Sequence, residues 1–114
     1  MALIYENTST ANGNSDEITW KPHRKEMPLR GTFFAYGTFD TSTVALQVSP
    51  DGGTTFIAAT DVLGNAISFT ANGYANFELY GNGDPIDADQ VKLRVNTSSV
   101  GGSTSVTARI FDIT

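Results

Sequence analysis

The stretch Thr43-Val44-Ala45-Leu46-Gln47-Val48-Ser49-Pro50-Asp51-Gly52-Gly53-Thr54-Thr55-Phe56-Ile57-Ala58-Ala59-Thr60 alternates apolar and polar side chains, breaks at Pro-Asp-Gly-Gly, and resumes. A period of two marks a strand with one buried face, and Pro, Asp and Gly supply the turn. Residues opposed in a hairpin must share a face. Opposing Val48 to Phe56 and Leu46 to Ala58 leaves Asp51-Gly52-Gly53 in the loop. One apolar face of Val44, Leu46, Val48, Phe56 and Ala58 is then predicted.

The same arithmetic applies on either side. In Ala66 to Leu79, a loop of Ala71-Asn72-Gly73 opposes Phe69 to Ala75 and Ile67 to Phe77, with Gly73 as a left-handed bulge. A third face comes from Val91, Leu93 and Val95 against Val106, Ala108 and Ile110, across a Ser/Gly-rich loop. Candidate strands are 17–20, 31–39, 43–49, 54–60, 66–71, 74–80, 90–96 and 104–113, with no window of helical periodicity. Short strands with regularly spaced turn signals predict an all-β fold, an antiparallel β-sandwich of jelly-roll-like or Ig-like type with about seven or eight strands. Strand 31–39 carries Phe33, Phe34, Tyr36 and Phe39 on both faces, so it is either covered on both sides or has one face as an interface.

At 114 residues the chain fits one domain able to bury a core without staples. It has no cysteine, no stretch resembling a signal peptide and no membrane-length apolar run, so a soluble protein is expected. Residues 7–16 carry no large apolar side chain and are expected to be flexible. The β-prone Leu3-Ile4-Tyr5 before them is read as the docking end of an N-terminal arm, or equally as an edge strand of the chain's own sheet. The division expected is an arm over 1–16 and a sandwich domain over 17–114.

The formal charge of −5 argues against binding nucleic acid by neutralising phosphates. Yet four of the seven basic residues, Lys21, Arg24, Lys25 and Arg30, fall within ten positions, together with His23. That segment is either a solvated loop or a docking loop for an acidic surface, with Trp20 and Met27 as apolar neighbours. His23 is the only histidine and has cations around it rather than an orienting acid. With no thiol either, no catalytic residue, cofactor or metal is assigned, and an enzyme is not expected. Asp84, Asp87 and Asp89 cluster as a calcium loop would, but without EF-hand spacing, and read first as turn formers.

Ser49-Pro50-Asp51-Gly52-Gly53-Thr54-Thr55-Phe56 resembles the Asp-box, Ser-x-Asp-x-Gly-x-Thr-(Trp/Phe), found in sialidases and other β-proteins. What that likeness implies is a hairpin held by the carboxylate, with positive φ at Gly and the aromatic residue anchored in the core. More broadly, the polar N-terminal segment, the sandwich pattern, and the segments Thr43–Gly53 and Phe69–Phe77 resemble small structural proteins of tailed bacteriophages, particularly capsid decoration (cement) proteins. The resemblance implies a virion protein on the capsid surface, made in the host cytoplasm. It would stabilise the shell by bridging subunits of the major capsid protein or another virion protein. A homo-oligomer, trimer or dimer, is implied, with neither nucleic acid nor membrane as partner. The partner-facing residues would be Leu3, Ile4, Tyr5, Lys21, His23, Arg24, Lys25 and Arg30. The rivals are a head–tail or tail accessory protein, and a carbohydrate- or receptor-binding module using Phe34, Tyr36, Tyr74 or Tyr80. A hydrolase using the acids at 84–89 is the weakest of them.

Overall fold

The computed structural model describes residues 2–19, 29–79 and 92–113. Among them, ten strand segments form two antiparallel sheets. In chain order they are β1 (Ala2–Ser9), β2 (Gly13–Asn14), β3 (Ile18–Thr19), β4 (Leu29–Thr38), β5 (Thr43–Ser49), β6 (Ile57–Ala58), β7 (Ser68–Phe69), β8 (Gly73–Leu79), β9 (Lys92–Ser98) and β10 (Ser105–Asp112). The first sheet runs β1-β10-β4-β8. The second has β9 and β5 at its centre, with β2 and β3 sharing one edge and β6 and β7 the other. With β2 and β3 counted as one broken strand and β6 and β7 as another, eight strands pair first with last, second with next-to-last, and so inward. That is the connectivity of a jelly roll.

Alternation decides which side chains enter the core. Phe33, Ala35, Val106, Ala108, Ile110 and Phe77 project from the first sheet onto Val44, Leu46, Leu93, Val95 and Ile67 of the second, all nearly inaccessible. Phe33 and Phe69 stack across the sandwich with centroids 6.0 Å apart. Each of these side chains other than the two alanines, fully buried, contributes about 1.5–3 kcal/mol.

The expected inward faces are mostly correct; two of the three expected hairpins are not. Phe69 pairs with Val44 in the second sheet, while Ala75 pairs with Phe33 in the first. Likewise β9 and β10 lie in different sheets. Alternation states which side of its own strand a residue occupies. Two apolar faces can meet across a core as readily as along a sheet. Gly73 is not a left-handed bulge; a Cβ there would lie 2.7 Å from the Phe69 ring, so glycine permits the close crossing between sheets.

The β5–β6 hairpin exists but is slipped by one residue, with Val48 opposite Ile57 and Gln47 opposite Ala58. The Asp-box turn is the cause. Asp51 Oδ1 accepts the amides of Thr54 (3.2 Å) and Thr55 (2.9 Å) and the Ser49 hydroxyl (2.7 Å). Ser49 Oγ accepts the Gly53 amide at 2.8 Å, and Gly52 and Gly53 take φ of 79° and 105°. Engaging both threonine amides lengthens the loop. Phe56 then emerges on the outer side, where Arg94 lies 3.9 Å over its ring, and Ala58 is exposed. The aromatic residue does not anchor in the core.

Of the two expectations for Leu3-Ile4-Tyr5, a docking arm or an edge strand of the chain's own sheet, the edge strand is what forms: β1 pairs with β10 over its whole length. A bulge between Leu3 and Tyr5 lets both Ile4 and Tyr5 pack, partly buried, against the core. The polar segment that follows is pinned by its own side chains. Asn12 Oδ1 accepts the Val100 amide (3.0 Å), Asn14 bonds Asn96 (2.7 Å), and Ser15 Oγ accepts the Val95 amide (2.9 Å). Small polar side chains replace burial with hydrogen bonds, which composition does not register.

Deleting residues 2–9 is expected to lower the thermal midpoint sharply, since it uncovers β10; a true arm would leave the midpoint unchanged. The Thr55 amide first, then the Ser49 hydroxyl, hold the Asp51 carboxyl below its ordinary range. Its stabilising effect is therefore complete above the unfolded value of about 3.9 and is lost as pH falls through the lower folded value. Asp51→Ala should destabilise at neutral pH, and its deficit relative to wild type should shrink in strong acid. Denaturant titrations at pH 7 and pH 2.5 check both.

Candidate binding face

The outward side of the first sheet follows from its register. Glu6, Arg109, Phe34 and Tyr74 form one row across β1, β10, β4 and β8. Leu3, Phe111, Thr32 and Asn76 form the next, and Thr8, Thr107 and Tyr36 lie on the other side. Neighbouring strands stand about 4.8 Å apart, which brings these rings into contact. Phe34 stacks on Tyr74 (centroids 5.4 Å) and meets Phe111 edge-on (5.7 Å). The cluster is open to solvent, with Tyr74 66%, Leu3 48% and Tyr36 38% exposed.

Polar groups frame it. Arg109 reaches Glu6 Oε2 (2.7 Å from Nε) while its guanidinium carbon lies 5.9 Å from the Tyr36 centroid. Its Nε–H is not aimed at the carboxylate, so this is an ion pair without a hydrogen bond. Arg30 pairs with Glu78 at 3.2 Å, and Thr32 donates to Asn76 Oδ1 at 2.7 Å. Exposed pairs of this kind add little stability. They fix the long side chains around the rings. The second sheet differs, because Arg94 covers Phe56 and donates to Gln47 Oε1 at 2.6 Å.

Beside β8 stands a turn that the sequence reading passed over. Asp61 Oδ1 accepts the amides of Leu63 and Asn65, both at 2.9 Å, and Gly64 takes φ 87°. The Val62 amide donates to Asn76 O at 3.1 Å, fastening the turn to the edge of β8. Val62 and Leu63 are thereby held 61% and 83% exposed. The signal was the turn-forming Asp61 and Gly64 around two aliphatic residues.

Of the expected partner-facing residues, Leu3 lies on this face beside Phe111, and Arg30 lies at its end in an ion pair. Lys21, His23, Arg24 and Lys25 lie outside the described residues, as do Trp20, Tyr80 and the acids at 84–89. Three of the four aromatics named for a binding platform, Phe34, Tyr36 and Tyr74, come together here. Phe111 joins them, unforeseen because its strand was read only for its inward residues. A polar hollow of about 210 Å³ beside β1, lined by Asn7, Ser9, Asn12, Asn14 and Thr97, has its asparagines already engaged at positions 12 and 14.

The chain matches no protein-family model and no curated protein.

Proposed function

We propose that the protein is a virion structural protein that bridges subunits of a phage shell, docking through the outer face of its first sheet. The observation that carries this reading is the open aromatic cluster of Phe34, Tyr36, Tyr74 and Phe111 with Leu3. Rings held on a rigid sheet lose little entropy on binding, and aromatic residues commonly dominate interface energies. The framing ion pairs resemble the polar rim of a non-obligate interface. In this reading the N-terminal segment takes part through Leu3 as one strand of the sheet face and not as a free arm, since Ile4 and Tyr5 pack against the core.

The test is co-sedimentation with empty shells assembled from a tailed-phage major capsid protein. Saturable binding at a fixed ratio to capsid subunits is expected. Tyr74→Ala, at a largely exposed position, should weaken it about tenfold or more while leaving the thermal midpoint near wild type. Binding unaffected by Tyr74→Ala, or no binding, would overturn the reading.

A second reading rests on the same rings. Phe34, Tyr36 and Tyr74 beside Asn76, Arg109 and Glu78 could stack a sugar ring and bond its hydroxyls. A glycan array positive for wild type and negative for Tyr74→Ala would favour this module reading over the shell protein.

A further inference from the structure

We infer that the outer edge of β1 is a pairing site for β1 of a second copy of this chain, related by a two-fold axis at Asn7. The inference goes beyond the docking face and does not depend on it.

β1 terminates its sheet, and among the described residues no backbone hydrogen bond outside the β1–β10 ladder involves it. The other edges are not equivalent. β8 receives the Val62 amide at Asn76, and β2, β3, β6 and β7 are each two residues long. Soluble proteins normally blunt a long edge with proline, lysine or a bulge. β1 has neither proline nor lysine, and its one bulge lies at Leu3/Tyr5, near one end.

That bulge sets the register. Regular strand runs from Tyr5 to Ser9, and the midpoint of those residues is Asn7. An antiparallel mate centred there opposes Asn7 to its own copy, Tyr5 to Ser9, and Glu6 to Thr8. The strand's single charge thus meets a hydroxyl rather than its symmetry mate, whereas centring on Glu6 would oppose two carboxylates. Same-face residues stay matched, as pairing requires. The axis stands perpendicular to the sheet, so the two aromatic clusters face the same way on one widened sheet.

The chain has no cysteine, so a single introduced thiol reports directly. Asn7→Cys places two sulfurs across the axis, with Cβ atoms about 4.5–5.5 Å apart. It should be joined into a covalent dimer by mild oxidant or a short bifunctional thiol reagent. Val62→Cys, also exposed but on the opposite edge, should be joined far more slowly. Sedimentation equilibrium gives the second readout. Thr8→Glu opposes glutamate to Glu6 twice per dimer and should weaken association about fivefold or more, while Thr8→Lys should tighten it. A monomeric wild type, equal linking at positions 7 and 62, or identical dimerisation of the T8E and T8K variants would each overturn the inference. Loss of the dimer with Tyr74→Ala but not with Thr8→Glu would assign self-association to the aromatic face instead.

Discussion

The pairing of β4 with β10 is the constraint on which the rest depends. Eight consecutive residue pairs join them, and Phe33 and Ile110, opposite each other near the middle of that ladder, are both fully inaccessible. Every outer strand of the first sheet is registered on one of the two, and the second sheet packs against their inward side. Their connections to the second sheet are also stapled to each other. The Ser103 amide bonds Asp40 Oδ2, Thr104 Oγ1 bonds Phe39 O, and Thr41 Oγ1 bonds Ser99 O, at 2.7–2.9 Å. Asp40, Thr41 and Ser99 all adopt positive φ, an uncommon conformation for non-glycine residues that these bonds help hold.

β4 also explains how a buried scaffold comes to present an open aromatic face. A strand at the centre of a sheet has two faces, and here aromatic residues occupy both. Phe33 is spent on the core, while Phe34 stands among rings from β8 and β10 and Tyr36 shares its face beside Arg109. Because the inner residues fix the strand, the outer rings inherit positions set by the core. Their own stacking then adds to an arrangement that the core has already set.

This division was half legible in the sequence. Period-two alternation gave the inward residues Val44, Leu46, Ile67, Phe77, Leu93, Val95, Val106, Ala108 and Ile110, because burial is a property of each strand alone. Pairing was not legible, because it depends on which strand a segment meets after crossing the sandwich. Ile67 and Phe77, taken as cross-strand neighbours, sit in opposite layers. The turn at Ser49–Phe56 shows the same limit at short range: its chemistry was readable, while the length of loop its hydrogen bonds consume was not. The aromatics on both faces of residues 31–39 left open whether the outer face is covered; that it stays open, with Tyr74 and Phe111 beside Phe34, only the sheet shows.

The first strand of this fold closes against the last, as the Thr8–Thr107 hydroxyl contact at 2.9 Å across 99 positions makes plain. Contacts so distant in sequence are slow to form, since a loop of nearly the whole chain must close first. On the ribosome the consequence is stricter. Residues 2–9 are made well before β10, their partner, so this sheet cannot be completed until β10 has followed. Throughout that interval Leu3-Ile4-Tyr5 remains an exposed apolar strand, vulnerable to the wrong neighbour until β10 arrives to shelter it.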